Sequence, residues 1–458
     1  MKERTQGLGL CPPHPKIARE IRRDIKKRNL TTRDVRMRSV TEALASEPVT
    51  KPGMNDGTFY PEEALPITAR TRGLTPSRAV RSRPTTGTLR ILVLLADFAD
   101  NVGKRPAQEF SDMLFSKGTY KTGSMRDYYK ENSYGQLDVE GRVLGWLRLP
   151  QSYAFYVNGD NGTGDFPNNS QKMVEDALSV AVQEGLDLST FDTDGDAFLD
   201  GLFVVFAGGG AEDEEDKKVR AKKMWSHQFH LQTSFVSEGI TAFAYCVVPE
   251  DGKVGVFSHE FGHMLGLPDL YDTTYKSLGV GNWCIMGGGE WNNDGLTPAH
   301  FCAWSKAKLN WIKPTVVKDA QSLELPSVEK NKAAVYRLWT KGKSGDEYFL
   351  IENRQKEGFD SKLPAEGLLV WHVDDSQSDN DNPGHYMVGV VQADGLRDLE
   401  RGKGNGADKG DPYPGSTKNK AFGPTTNPSS NDFIGSATGV GVTNIKVKDG
   451  VVTCDVKV

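Results

Sequence analysis

Apolar residues along this chain fall into three textures. Near the start, Ile17, Ile21 and Ile25 recur at every fourth position within KIAREIRRDIKKR. That spacing predicts an amphipathic helix over 16–28, apolar on one face and charged on the rest. Residues 31–87 are polar and rich in Thr, Arg, Pro and Gly, which predicts a linker or an extended wrapping segment. Continuous apolar runs follow. LRILVLLADF (89–98) and GLFVVFAGGG (201–210) predict buried strands, the second ending in a glycine loop and followed by an acidic cluster, EDEED (212–216), expected to be a solvent loop. Between them, a helix starting within 124–134 gives way at Gly135 to an alternating strand. Met173, Ala177, Val180 and Ala181 mark a helix within 169–188. From about 316 the texture becomes short alternating runs separated by turns, among them YFLIENR, LLVWHV and VVTCDVKV, which predict an all-β region. The expected organisation is therefore a pro-segment and linker (1–87), a central domain (88–315) and a β-rich C-terminal domain (316–458). No internal repeat or low-complexity tract interrupts it.

Composition narrows the function classes. The 458 residues carry 56 Lys+Arg against 61 Asp+Glu, a net charge of −5, so no basic surplus draws the chain to nucleic acid. The basic helix at 16–28 has no interleaved aromatics and reads as a solvated helix docked on the main body. The apolar fraction is 37% with Gly left out, against a globular norm of about 45–50% that counts Gly, and Gly is high at 49. Much of the chain is expected in turns, loops and short strands. No stretch reaches the length of a membrane span. The five cysteines, at 11, 246, 284, 302 and 454, are too scattered for a disulfide scaffold. The last four have the number for two disulfides in an oxidising setting, or none. The opening MKERTQGLGL lacks the apolar block of a secretory signal.

The sharpest chemical feature is VFSHEFGHMLGLPD (256–269). His259, Glu260 and His263 make H-E-x-x-H, and residues four apart on a helix share a face. Two imidazoles pointing to one spot suit Zn²⁺. Glu260 sits beside the metal without being needed as a ligand, placed to take a proton from an activated water. Gly266 can end the helix in a positive-φ turn, and Pro268 blocks its resumption. The returning chain puts Asp269 where a third ligand reaches the metal, with Asp272 as a rival. Zincins with this glycine usually carry His at that position; here the spacing fits and the ligand type departs. Carboxylate is an acceptable zinc ligand. Met286, in GNWCIMGGGEW, reads as a methionine turn, because the flanking glycines (279, 281, 287–289) favour a tight turn over an ordinary core methionine.

With these segments in place, the chain resembles the immune inhibitor A family of secreted metallopeptidases. VFSHEFGHMLGLPDLYD, GNWCIMGGGEW, TPAHFCAWSKAKLNWI (297–312), EYFLIENRQKEGFD (347–360) and LLVWHVDD (368–375) carry the resemblance, with SMRDYYKENSYGQL (124–137) and GDPYPGST (410–417). It spans roughly 88–458. It implies an α+β fold: a zincin, metzincin-like catalytic domain with a mixed sheet and an active-site helix, then an all-β, sandwich-like C-terminal domain. It also implies zinc held by His259, His263 and Asp269, Glu260 as general base, protein or peptide substrates, and secretion. The expected enzyme is a zinc-dependent endopeptidase acting as a monomer. The alternative is a catalytically inactive binding protein on a peptidase scaffold, which the intact His259, Glu260 and His263 argue against. The strand near 202–207 with Gly208–Gly210 is the expected rim for pairing with extended substrate.

Two further features carry expectations. In DTDGDAFLD, Asp192, Asp194, Asp196 and Asp200 alternate in a turn-rich stretch, and hard oxygen ligands at such spacing wrap Ca²⁺. The stretch is not an EF-hand: position 6 is Ala197 and position 12 is Phe203. The bland reading is an acidic turn capped by its own side chains. Cys11, in CPPHPK, is a thiol that can occupy the fourth zinc position and hold the enzyme latent; otherwise it is an ordinary thiol in a tail, with His14 a weaker competing ligand. His227 and His230, in WSHQFH, are expected to be structural.

Overall fold

The computed structural model describes residues 9–28 and 85–458. The linker expected over 31–87 lies outside the described residues apart from 85–87. In chain order the described elements begin with strand β1 (Gly9–Leu10), helix α1 (Pro15–Arg28), β2 (Gly87–Asp97), α2 (Ala107–Phe115), α3 (Met125–Asn132) and β3 (Leu137–Arg148). There follow α4 (Tyr153–Val157), α5 (Ser170–Gln183), β4 (Gly201–Phe206), α6 (Lys217–Arg220), β5 (His227–Ser237), β6 (Ile240–Pro249) and α7 (Val254–Met264). The remainder comprises α8 (Ala303–Lys308), β7 (Thr315–Val316), β8 (Gln321–Leu325), β9 (Val335–Leu338), β10 (Glu347–Arg354), β11 (Gly367–Asp374), β12 (Val388–Val390), β13 (Gly441–Lys448) and β14 (Val451–Lys457). These described residues form two compact units. One holds those up to 130 with 135–268, and the other holds 131–134 with 269–458.

The first unit is built on a six-stranded mixed sheet in the order β1-β5-β6-β4-β2-β3. β2 is parallel to both β3 and β4, and β4 to β6, while β5 runs antiparallel to β6. The uninterrupted apolar runs of β2 and β4 follow from this position, because central parallel strands are covered on both faces. Leu92, Leu94, Ala96, Leu202, Val204 and Phe206 face a core shared with Met173, Val174, Ala177, Leu178 and Ala181 of α5. The Asn169 side chain caps the start of α5 by accepting from Lys172 N–H at 3.2 Å. At the sheet margin, Asp97 receives a two-point hydrogen bond from Arg148 at 2.7 and 3.0 Å. On the predicted amphipathic helix, α1, Ile17 and Ile25 are buried and Ile21 is half-buried.

One strand is not where the sequence reading put it. β4 was expected to form a substrate-binding rim. It is hydrogen-bonded to β2 on one side and β6 on the other, so its backbone has no free edge to offer. The strand on that side of the sheet's margin is β5, onto which β1 is laid antiparallel through Gly9–Gln228 and Leu10–His227.

The second unit has two sheets, a five-stranded one in the order β12-β11-β10-β9-β7 and a three-stranded one in the order β13-β14-β8. One apolar core draws on both, including Phe349 and Ile351 of β10, Val370 of β11, Leu325 of β8 and Val452 and Val456 of β14. β14 keeps the alternation that its sequence shows, whereas β10 and β11 are buried at nearly every position. Central strands lose the polar face that alternation requires. The β7–β9 pair is parallel, so the larger sheet is mixed.

A buried ion pair organises this unit. The Arg354 guanidinium makes two hydrogen bonds of 2.7 Å to Asp360, and another of 3.1 Å to the Trp283 carbonyl. Both side chains are fully buried. Burial alone would raise the Asp360 carboxyl, but the charge of Arg354 overrides it and holds the group at about 2. A depressed folded pKa means that this stabilisation is present above the ordinary carboxylate range and is lost only as pH falls through about 2. Arg354→Leu leaves Asp360 as a buried charge without its main partner. We expect a loss of about 3–5 kcal/mol in urea-unfolding free energy at neutral pH, and a loss under 1 kcal/mol would show that the pair is not the support described here.

Candidate metal centre

α7 is hydrophobic around its whole circumference apart from four residues, and every residue from Val254 to Met264 is buried. A helix of this kind is enclosed by protein on all sides. Phe257 and Phe261 pack against Phe203 of β4 at ring-centroid distances of 5.4 and 6.4 Å. Tyr129 of α3 stands edge-on to Phe261 at 5.0 Å, and its hydroxyl donates to the Ser258 carbonyl at 2.6 Å. The Cys246 thiol of β6 donates to the Glu260 carbonyl at 3.5 Å. These contacts fix the rotation of the helix about its axis, and so the direction of its two histidines.

His259 Nε2 and His263 Nε2 lie 3.0 Å apart, with the rings nearly perpendicular. The other nitrogen of His263, Nδ1, is 2.8 Å from the Leu267 carbonyl, so it carries the proton and leaves Nε2 as a ligand nitrogen. Helix termination supplies that carbonyl. Gly266 adopts φ +97°, its N–H returns to the His263 carbonyl at 2.9 Å, and Leu267 N–H returns to Gly262 at 3.1 Å. A side chain at position 266 would be strained in this conformation.

Ligand atoms of His259, His263 and Asp269 all lie within 4.8 Å of one another. Two imidazole nitrogens and one carboxylate at these separations fit a single cation with bonds of about 2.0–2.2 Å. Asp272, the rival ligand, is engaged locally. One oxygen takes Thr274 N–H at 2.8 Å and the other takes Ser277 N–H at 2.8 Å and Ser277 Oγ at 2.6 Å. Glu260, between the two histidines in sequence, is fully buried.

Met286 is fully buried, and its carbonyl accepts from Leu270 N–H at 2.7 Å. The turn around it depends on two glycines in the left-handed region. Gly279 has φ +57° and Gly281 φ +58°. A Cβ on Gly279 would overlap the Leu270 carbonyl oxygen, and one on Gly281 would overlap that of Gly406. Gly287–Gly289 have no such φ, so the glycine cluster read from the sequence has two different causes. His300 is buried in the same unit, with Nε2 2.7 Å from Glu131 and Nδ1 3.0 Å from the Lys306 ammonium. Neither of these links was legible in sequence, since 169 residues separate His300 from Glu131.

At the aspartate loop, ligand oxygens of Asp192, Asp194 and Asp200 lie within 4.8 Å of one another; Asp196 is not among them. Asp192 also accepts from the backbone N–H groups of Gly195, Asp196 and Ala197, and Asp200 from those of Arg90 and Thr193. The loop therefore caps its own backbone and also gathers three of its carboxylates.

The N-terminal segment meets the first unit at β5. Cys11 is fully buried, its N–H donates to the Ser226 carbonyl at 3.0 Å, and Trp225 Nε1 donates to its carbonyl at 2.8 Å. α1 is anchored by Lys217 on Glu20 at 2.8 Å and by Lys16 on Glu215 at 2.8 Å. The acidic run 212–216 was expected to be a solvent loop, and its first member departs from that. Glu212 is buried on Ser226, with its carboxyl pushed up to about 7 chiefly by burial. His14 lies 3.7 Å from Asp213. His227 bonds Ser170 at 2.9 Å and the Trp225 carbonyl at 2.8 Å, and His230 stacks between Phe229 and Phe243. None of the five cysteines is joined in a disulfide.

Comparison with known proteins gives this geometry a family. The catalytic-domain family described as immune inhibitor A peptidase M6 matches residues 85–314. The chain is 33% identical to immune inhibitor A of Bacillus thuringiensis subsp. alesti over 312 residues, covering 56% of this chain and 45% of that protein. It is 32% identical to the pre-pro-metalloprotease PrtV of Vibrio cholerae serotype O1 over 234 residues, covering 43% of this chain and 25% of that protein. The chain thus spans less than half the length of these relatives. The family match covers half of the sequence and includes His259, Glu260, His263 and Asp269. The chain belongs to the immune inhibitor A family of M6 peptidases.

Proposed function

We propose that this protein is a zinc-dependent endopeptidase that hydrolyses peptide bonds in proteins, with His259, His263 and Asp269 as ligands. The observation that carries the reading is the convergence of these three ligand atoms, with the buried Glu260 next in sequence to His259. Zinc bound there would supply a Lewis acid for the scissile carbonyl and for water. Glu260 then accepts a proton from the attacking water and delivers it to the leaving amine. Its burial suits that task, because a water-poor site strengthens each interaction of the carboxylate with the reacting atoms. Met286 shapes the loop that follows Asp269. Residues 88–315 form the catalytic domain on this reading and 316–458 a sandwich-like β domain. The enzyme is exported and acts as a monomer. Among the described residues no helix is long and apolar enough to cross a membrane.

The same reading makes 1–87 a pro-segment with Cys11 as its latency residue. Supporting this, Cys11 is buried and follows β1, a strand that adds to the sheet at β5 and touches α7. A strand added at that margin takes backbone groups that an extended peptide would use. Asp192, Asp194 and Asp200 form a structural calcium site on this reading, with Asp196 completing the loop through its own turn. Three carboxylates so close repel one another unless a cation lies among them.

Three measurements test the proposal. Glu260→Gln is expected to retain stoichiometric zinc and to lose about 10²–10⁴ in kcat on casein; retained activity overturns the mechanism, and o-phenanthroline is expected to abolish activity of the parent. Cys11→Ser in the intact chain is expected to cleave a short peptide about tenfold faster than the intact parent, with equal rates excluding a latency role. Millimolar calcium added to stripped, zinc-reloaded protein is expected to raise Tm by a few degrees, and this response is expected to vanish in Asp192→Asn.

A further inference from the structure

Two of the five thiols meet inside the second unit. Cys284 closes the short turn Gly281–Trp283, and Cys302 immediately precedes α8. Both are fully buried. The Cys302 N–H donates to Cys284 Sγ at 3.3 Å, although the two are 18 positions apart. Backbone bonds on either side hold the strands of this loop together: Ile285 N–H to the His300 carbonyl at 3.3 Å, and Ala299 N–H to Gly289 at 2.9 Å. Cys302 Sγ also lies 3.4 Å from Ser305 Oγ. By contrast, the Cys246 thiol is turned to the Glu260 carbonyl, and that of Cys11 to Pro12 at 3.5 Å.

The two sulfurs differ in acidity. Burial works against ionising either one. For Cys284 this is outweighed by hydrogen bonds from the Cys302 thiol and N–H and from Met286 N–H, and by the charge of Arg354, so it falls below the ordinary thiol range. Cys302 is pushed well above that range by burial and by its neighbour. One member is thus suited to attack and the other to resolve, the division of labour found in oxidisable dithiols.

We propose that Cys284 and Cys302 are an oxidisable pair that closes a disulfide across the loop carrying Met286, with hydrogen peroxide as oxidant. The Cys284 thiolate attacks one peroxide oxygen. The S–O bond forms, the O–O bond breaks, and the hydroxide released takes up a proton to become water. The sulfur is thereby oxidised to a sulfenic acid. The Cys302 sulfur then attacks Cys284 Sγ, forming the S–S bond and breaking the S–O bond, while its own proton leaves with the departing hydroxide as a second water. In sum, two thiols and one peroxide give one disulfide and two waters. The crosslink ties the methionine loop to the start of α8 and restricts the unfolded chain over an 18-residue span.

The test uses the full chain, reduced, freed of reductant and treated with hydrogen peroxide while folded. It is then denatured in N-ethylmaleimide and mapped as unreduced peptides. We expect a Cys284–Cys302 linked peptide pair that dithiothreitol releases, with Cys246 and Cys454 alkylated. Tm is expected to rise by on the order of 5–10 °C on oxidation. In Cys302→Ser, Cys284 is expected to accumulate as a dimedone-reactive sulfenic acid. Full alkylation of both residues after peroxide, or linkage of either to another cysteine, overturns the proposal. The peptide map of the parent chain decides the matter even where the variant does not fold. Its readout is a mass, so it stands or falls separately from peptidase activity.

Discussion

The hydrogen bond between His263 Nδ1 and the Leu267 carbonyl is the constraint on which the candidate metal centre depends. An imidazole offers a lone pair on one nitrogen only when the other holds the proton, so fixing the proton fixes the ligand. The acceptor is a backbone carbonyl four residues on, and it is in reach only because the helix stops at Leu265 and turns at Gly266 with φ +97°. The same turn brings the chain to Asp269. Helix termination, tautomer and the return of the chain to Asp269 are one structural event. The glycine is required by the backbone, and the chemistry inherits its precision from it.

The rest of α7 serves to hold this event still. Its two phenylalanines on Phe203 and the Tyr129 hydroxyl on Ser258 leave the helix no freedom to rotate. On the zinc reading, a ring displaced by an ångström would move its nitrogen out of range, since zinc bonds vary by only a few tenths of an ångström. The fully buried β4 underlies this rigidity. It lies between two parallel neighbours and has side chains covered on both faces. Such a strand is a support for a site and not a surface for substrate.

What the sequence disclosed follows the range of the interactions involved. Local patterns were legible: the 3.6-residue period of α1 and α5, the apolar runs of β2 and β4, the H-E-x-x-H face and the glycine stop. Each is settled by residues a few positions apart. Strand order was not, and that is why β4 was mistaken for a rim: an apolar run reports burial, not position in the sheet. For the same reason the alternation expected of β10 and β11 is absent. Glu212 looked solvated because its neighbours are charged, while the group that buries it, Ser226, lies 14 residues away. The aspartate loop sits between these cases. Its spacing was legible, but the backbone N–H groups that it caps were not, nor that three of the four carboxylates gather without Asp196.

The loop from Gly279 to Cys302 shows how a functional turn can be held by a fold's interior and not by its own sequence. It has almost no regular structure, yet nearly every residue in it is buried. Its polar groups are met by the second unit. Arg354 takes the Trp283 carbonyl, Asp411 takes Trp283 Nε1 at 2.9 Å, and Asp360 takes His300 N–H at 2.8 Å. Each of these partners is itself buried and ionisable, and a buried polar or charged group is costly unless its hydrogen bonds are complete. The loop therefore completes the charge network as much as the network holds the loop. Moving Met286 would break bonds to Arg354 and Asp360 that neither can replace from solvent. A disulfide between Cys284 and Cys302 would add a covalent tie to a geometry already over-determined. It would change the shape of the loop little and its resistance to opening a great deal.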